Sequence, residues 1–223
     1  MTEAEIRDRL IKELALSPAG LGATFIPELF VDGFSRRADL VMANGKLSVF
    51  EIKSPRDSLD RLDGQVESYC KFFEQVTVVC APKHLAGVMA RAPETVGVWT
   101  INDDGSQIVR KAKCSSPTSK ANWLSFLPVL ELRRFLRAQG GRALGSRADL
   151  VEQASRQSVS VIRASVLCYL KRRHEHILAL KQKQRASTRH VAKAEPSQAE
   201  RLAEYISKSG LRDAAPIPRQ RAI

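Results

Sequence analysis

Three charged side chains at fixed spacing hold the most chemical promise in this 223-residue sequence: Asp39, then Glu51 and Lys53 two positions apart. Alternate residues of a strand share a face, so Glu51 and Lys53 point together while Phe50 and Ile52 point the other way. Burying one carboxylate without a partner is costly, and a second beside it adds repulsion that a cation relieves. Asp39 facing Glu51 would therefore hold a divalent ion. Mg²⁺, or Mn²⁺ in its place, prefers oxygen ligands, retains waters, and is held by one or two carboxylates together with substrate phosphate oxygens. Such an ion activates water and stabilises charge on a phosphodiester, and Lys53 would orient or help deprotonate that water.

The elements that must position these residues are legible nearby. "ADLVMA" and "KLSVFEIK" flank Asn44-Gly45, a strong hairpin signal. A two-residue Asn44-Gly45 loop would pair Asp39 with Phe50 and put the carboxylates on opposite faces. A connection one residue longer pairs Ala43 with Leu47 and sets Asp39 against Glu51, so the chemistry predicts the longer loop or a bulge. "TEAEIRDRLIKELAL" reads as a capped first helix, "ATFIPELFV" as a strand before the hairpin, and "VTVVCA" and "VGVWTI" as later strands with a helix between. Ser54-Pro55 with Asp57 predicts the start of a helix running to about Glu74. The order is that of an α/β protein.

On the next predicted helix, Gln65 and Tyr69 lie one turn apart and share a face. The set Asp39, Glu51-Ile52-Lys53, with Ala38 where a proline is usual, resembles the PD-(D/E)XK nuclease superfamily. "QVESY", Gln65 to Tyr69, resembles the Q-x-x-x-Y element of its RecB-like members. The resemblance covers about residues 1–104. It implies a restriction-endonuclease-like central mixed β-sheet flanked by helices, with Asp39 and Glu51 as metal ligands and Lys53 as the catalytic lysine. Gln65 and Tyr69 would then reach substrate or metal. A third carboxylate is expected one strand before Asp39 at Glu28, in preference to Glu13 of the first helix. The bland alternative keeps Asp39 and Glu51 as solvated hairpin charges and Tyr69 as a core aromatic.

Charge divides unevenly along the chain. Residues 1–104 carry 12 basic and 16 acidic side chains, net −4, whereas residues 105–223 carry 24 and 8, net +16, giving +12 in all. A basic half suits a polyanion, DNA first and RNA as the alternative, because neutralised phosphates release condensed counterions. "ELRRFLRAQGGRALGSRADLVEQA" resembles a SAP motif, a helix-extended-helix DNA-binding module, with Gly141 where a leucine is usual and Leu144 available to fill the gap; the alternative is a helical bundle that caps the core. Arg133, Arg134, Arg137, Arg142 and Arg147 would be exposed there for phosphate contacts. The expected organisation is a nuclease-like core over residues 1–113, a linker over 114–126, a helical region over 127–180 and a basic, largely mobile tail over 181–223, the last with a short helix in "SQAERLAEYISKSG". A homodimer is compatible with this organisation.

The irregularly spaced Cys70, Cys80, Cys114 and Cys168 suggest reduced, mostly buried thiols and no metal pattern. No apolar run approaches the roughly 18 residues of a membrane span and the N-terminus lacks a signal-peptide core, so a soluble, cytoplasmic protein without a membrane partner is expected. Two function classes follow: a Mg²⁺-dependent deoxyribonuclease, or a catalytically inactive nucleic-acid-binding module on the same fold.

Overall fold

A computed structural model describes residues 1–115, 119–194 and 204. Six strands form one mixed sheet in sequence order: β1 (Thr24–Val31), β2 (Arg36–Ala43), β3 (Leu47–Lys53), β4 (Gln75–Cys80), β5 (Gly97–Asn102) and β6 (Gly105–Arg110). The pairs β1·β2, β2·β3 and β5·β6 are antiparallel, whereas β3·β4 and β4·β5 are parallel. Parallel neighbours need crossovers, supplied by α2 (Leu62–Phe72) and by a 3₁₀ turn (Pro82–His84) leading into α3 (Leu85–Arg91). Helix α1 (Glu3–Leu16) precedes the sheet. Helices α4 (Lys120–Ser125), α5 (Val129–Ala138), α6 (Arg147–Ser155) and α7 (Val159–Ala194) follow it.

The sheet is buried on both faces, as a central β3 with every residue buried requires. Helix α1 begins at a capping box, in which the Glu5 N–H donates to Thr2 Oγ1 at 3.3 Å and the Thr2 N–H donates to Glu5 Oε2 at 2.7 Å. Its Ile6, Leu10 and Leu14, spaced one turn apart, cover Leu40, Met42, Phe50 and Ile52. The opposite face carries Val41, Ala43, Leu47 and Val49, and α2 closes it with Leu62, Val66, Tyr69 and Phe72. The charged face of the hairpin is thus covered and not solvated.

The structure corrects several expectations drawn from the sequence. Ser54 and Asp57 do form the expected local bonds, Ser54 N–H to Asp57 Oδ2 at 2.6 Å, but they close a turn and the helix starts only at Leu62 after Arg61. Strand β6 was not expected; it extends a two-residue hairpin around Asp103-Asp104 that pairs Asn102 with Gly105. The expected linker contains α4, whose Trp123 and Leu124 are fully buried in the same core as Val66 and Phe72. That core continues through Leu132, Phe135, Leu150, Ile162 and Val166, so one compact unit covers Met1–Glu175 and the helices are not a separate domain.

A second unit is His176–Ile223, within which the helix extends past the expected end near Leu180 to Ala194 and Glu204 is helical. Most of the expected tail, including nearly all of "SQAERLAEYISKSG", lies outside the described residues. All four cysteines are free, but Cys114 and Cys168 are exposed, contrary to expectation. Among the described residues no helix is long and apolar enough to cross a membrane.

Candidate functional site

The β2–β3 register decides whether the two carboxylates meet. Ala43 pairs with Leu47 and Leu40 with Phe50, so the connection is Asn44 to Lys46 with Gly45 at φ +65°, and the same register, carried one step past the last ladder pair, aligns Asp39 with Glu51. The longer loop wins over the simpler turn because it alone keeps each hydrophobic residue of both strands on its proper face. The Asn44 N–H donates to the Lys46 carbonyl at 3.0 Å, and its side-chain amide donates to the carbonyls of Ala19 and Leu21.

Four residues of β3 and α2 then join in one network, with Asp39 of β2 beside it. Asp39 Oδ2 accepts the Ile52 N–H at 2.7 Å. Lys53 Nζ donates to Glu51 Oε1 at 2.9 Å and to Gln65 Oε1 at 2.8 Å. The Tyr69 hydroxyl lies 2.9 Å from Glu51 Oε2 and 3.1 Å from the Arg37 carbonyl, a single proton serving two acceptors. Glu51 is only 1% exposed and Lys53 only 4%. The late start of α2 brings Gln65 and Tyr69 onto the motif. Tyr69 is fully buried and donates to Glu51, so it orients that carboxylate, whereas Gln65 accepts from Lys53 and lines the pocket.

Burial, and next the charge of Glu51, push the Asp39 carboxyl up to about 8, with the Ile52 N–H and Lys53 opposing. Burial and the same glutamate raise the Tyr69 hydroxyl, which keeps it a donor. A buried Asp39 carboxyl beside the Glu51 carboxylate makes a donor set suited to a divalent cation. Among the described residues no cluster of three or more His, Cys, Asp or Glu side chains could hold a metal, but Mg²⁺ needs only one or two carboxylates besides waters and phosphate.

The pocket over these groups, about 330 Å³, is lined by Asp39, Glu51, Lys53 and Gln65 and further by Glu3, Asp57, Arg36, Arg37 and Arg61. Glu28 is not part of that lining. It would oppose Asp39, but its backbone sits at φ +57°, the ladder skips it, and it is ion-paired to Arg7 and, at 2.6 Å, to Arg37. The competitor Glu13 is farther removed, paired with Arg9 and Ser106 at a separate cavity of about 570 Å³. The acidic residue that α1 does bring to the pocket is Glu3, whose charge also reaches Asp39. Its place in the first turn of that helix was the available signal. Arg36 and Arg37, adjacent to Asp39 in "SRRAD", were equally readable and were missed.

The family profile of bacteriophage P4 protein cII matches residues 1–195. The chain belongs to that family. Protein cII of Enterobacteria phage P4 is 38% identical over 180 residues, 78% of this chain and 68% of the relative. Among solved structures, the SPO1766 protein of unknown function from Silicibacter pomeroyi covers 63% of this chain and 95% of its own, with a TM-score of 0.41 and 19% identity. A likeness that distant bears on neither fold nor function.

The part of this cII-family chain matched by the profile includes both the pocket and the helix-extended-helix of α5 and α6. There Gly140 and Gly145 take positive φ, and Ser146 caps α6 through Asp149. Ala143, not Leu144, fills the gap left by Gly141: Ala143 is fully buried and Leu144 is 63% exposed. The five arginines divide. Arg133 donates to the carbonyls of Ala143 and Gly145, Arg147 to those of Leu127 and Ser125, and Arg134 is ion-paired with Glu131. These three are committed to holding the region together. Arg137 and Arg142 are exposed without such partners among the described residues.

Proposed function

We propose that this chain is a metal-dependent nuclease of the PD-(D/E)XK type that hydrolyses DNA phosphodiester bonds. The observation that carries the reading is the cluster in which buried Asp39 lies beside the hydrogen-bonded Glu51, Lys53, Gln65 and Tyr69, brought together from three elements around one polar pocket. A fold that needed only stability would do as well with apolar residues there, since a buried ion pair contributes little net stability over a hydrophobic replacement. Asp39 and Glu51 would hold Mg²⁺ or Mn²⁺, whose charge offsets the burial and the Glu51 repulsion that together raise the Asp39 carboxyl. When bound, the ion supplies activated water and neutralises charge on the phosphate.

The chain's own residues do the rest. Lys53 spends two of its three N–H bonds on Glu51 and Gln65, leaving one for a water or a phosphate oxygen. Gln65 and Tyr69 are positioning residues that fix Lys53 and Glu51. Arg36, Arg37 and Arg61 at the pocket bind phosphates. Water oxygen adds to phosphorus as the bond to the leaving sugar oxygen breaks; the water gives up a proton and the leaving oxygen takes one up.

The test is cleavage of end-labelled linear, circular and single-stranded DNA by the purified protein, with Mg²⁺, Mn²⁺ or EDTA, beside Glu51→Gln. Metal-dependent cleavage that Glu51→Gln abolishes, with DNA binding retained, is expected. A parent protein that binds DNA but cleaves none of these substrates with either metal refutes catalysis and leaves the binding-module reading.

A further inference from the structure

Two large aromatic side chains stand exposed beside the carboxylates. Phe30, near the end of β1, is 50% exposed, and Phe34, in the turn to β2, is 80% exposed. Their ring centroids lie 5.6 Å apart at 46°, and both rings line the pocket that holds Asp39, Glu51 and Lys53. Water-exposed aromatic surface of this size contributes nothing to the core. The backbone that presents it is unfavourable as well: Asp32, Gly33 and Phe34 all take left-handed φ, and Phe34, at +72°, is a residue type rarely found there. The turn is held by the Ser35 N–H on the Asp32 carbonyl.

Arg36, Arg37 and Arg61 line the same pocket, so aromatic rings and guanidinium groups border the cavity that holds the carboxylates. That combination matches a nucleic-acid strand, whose phosphates alternate with bases. A base in a duplex already has both faces covered by its neighbours. Only an unpaired base has a face free for phenylalanine.

We infer that Phe34, backed by Phe30, is a stacking platform for an unpaired DNA strand entering the carboxylate pocket, so that single-stranded DNA and frayed ends are the preferred substrates of the site. The inference rests on the nuclease reading for what happens to the strand, but not for how it is held. Stacking should occur without metal and without cleavage.

The test measures anisotropy of a fluorescein-labelled oligo-dT and of a loop-free duplex with G·C-capped ends, with the full-length protein in EDTA. Phe34→Ala should weaken oligo-dT binding about 5- to 150-fold, the range for removing one base–aromatic stack, and change duplex binding less than twofold. Phe34→Tyr should keep parent affinity, and Phe34→Leu, equally apolar but not aromatic, should behave like alanine. In Phe34→Trp, oligo-dT should quench the new indole while the duplex leaves it unchanged. Equal losses on both substrates, no loss on oligo-dT, or full retention by Phe34→Leu would each overturn the platform. Absence of cleavage in both Mg²⁺ and Mn²⁺ would sink the nuclease reading alone, because this binding is read in EDTA.

Discussion

Cation binding at the pocket should expel a proton, and the pH dependence of that release follows from Asp39. Its carboxyl is pushed up to about 8, first by burial and then by Glu51. One unit below that midpoint roughly nine in ten Asp39 carboxyls carry a proton, and a metal needs the carboxylate. Mg²⁺ binding should therefore release about 0.9 proton at pH 7, about 0.5 at pH 8 and about 0.1 at pH 9. Apparent affinity should rise about tenfold per pH unit below 8 and level off above it. Titration calorimetry in buffers of different ionisation enthalpy counts these protons directly. Asp39→Asn should abolish the release, and Glu51→Gln should weaken cation binding. The sign also reaches stability. The metal-free folded protein holds this proton more tightly than an unfolded chain titrating near 3.8, so the contribution is full below that pH and is lost as pH rises through about 8. Mg²⁺ binding that Glu51→Gln weakens, yet that releases no proton at pH 7, would refute the account of Asp39.

Tyr69→Phe should lower the cleavage rate about 10- to 150-fold, the weight of a hydrogen bond to a charged group, with DNA affinity in EDTA unchanged; equal rates would mean the hydroxyl does not orient Glu51. Arg163 donates to both Glu74 carboxylate oxygens, at 2.8 and 3.2 Å, and Glu74 is buried. Arg163→Ala should cost about 3 kcal/mol by urea unfolding, and Glu74→Gln in the same chain should restore part of it. A cost under about 1 kcal/mol would refute the pairing's role. Deleting residues 181–223 should weaken duplex binding while the remainder still folds, and should flatten the log–log salt slope by about 0.9 for each phosphate that the shortened chain no longer neutralises. An unchanged slope would mean that segment does not touch DNA.

The pocket was legible where two constraints met on the same residues. Asp39, Glu51 and Lys53 are fixed by strand alternation and by the need to keep Phe50 and Ile52 in the core, so chemistry and hydrophobic pattern select one register together. Gln65 and Tyr69 followed from helical spacing, although the helix begins eight residues beyond Ser54, because a cap sequence closes a turn as readily as it opens a helix. Glu28 failed because a left-handed backbone at a non-glycine residue breaks the alternation, and nothing in "FIPELF" announces it. Helix α4 was hidden in a Ser- and Pro-rich stretch whose Trp123 and Leu124 look like isolated apolar residues until their distant partners are known. Strand β6 has no buried position, so it carried little periodic signal.

The turn that sets Asp39 against Glu51 is itself gripped from far along the chain. Arg163 of α7 donates to the Gly45 carbonyl and pairs with Glu74, 89 residues upstream, while the Glu74 carboxylate accepts the Leu47 N–H at 2.9 Å at the start of β3. A polypeptide emerging from the ribosome has made the whole motif long before it has made Arg163. Until that guanidinium arrives, Glu74 has no cation to pair with and the hairpin lacks its clamp. A growing or prematurely terminated chain therefore carries the motif in a hairpin that lacks this clamp, its register resting on the strand pattern and on the Asn44 bonds alone.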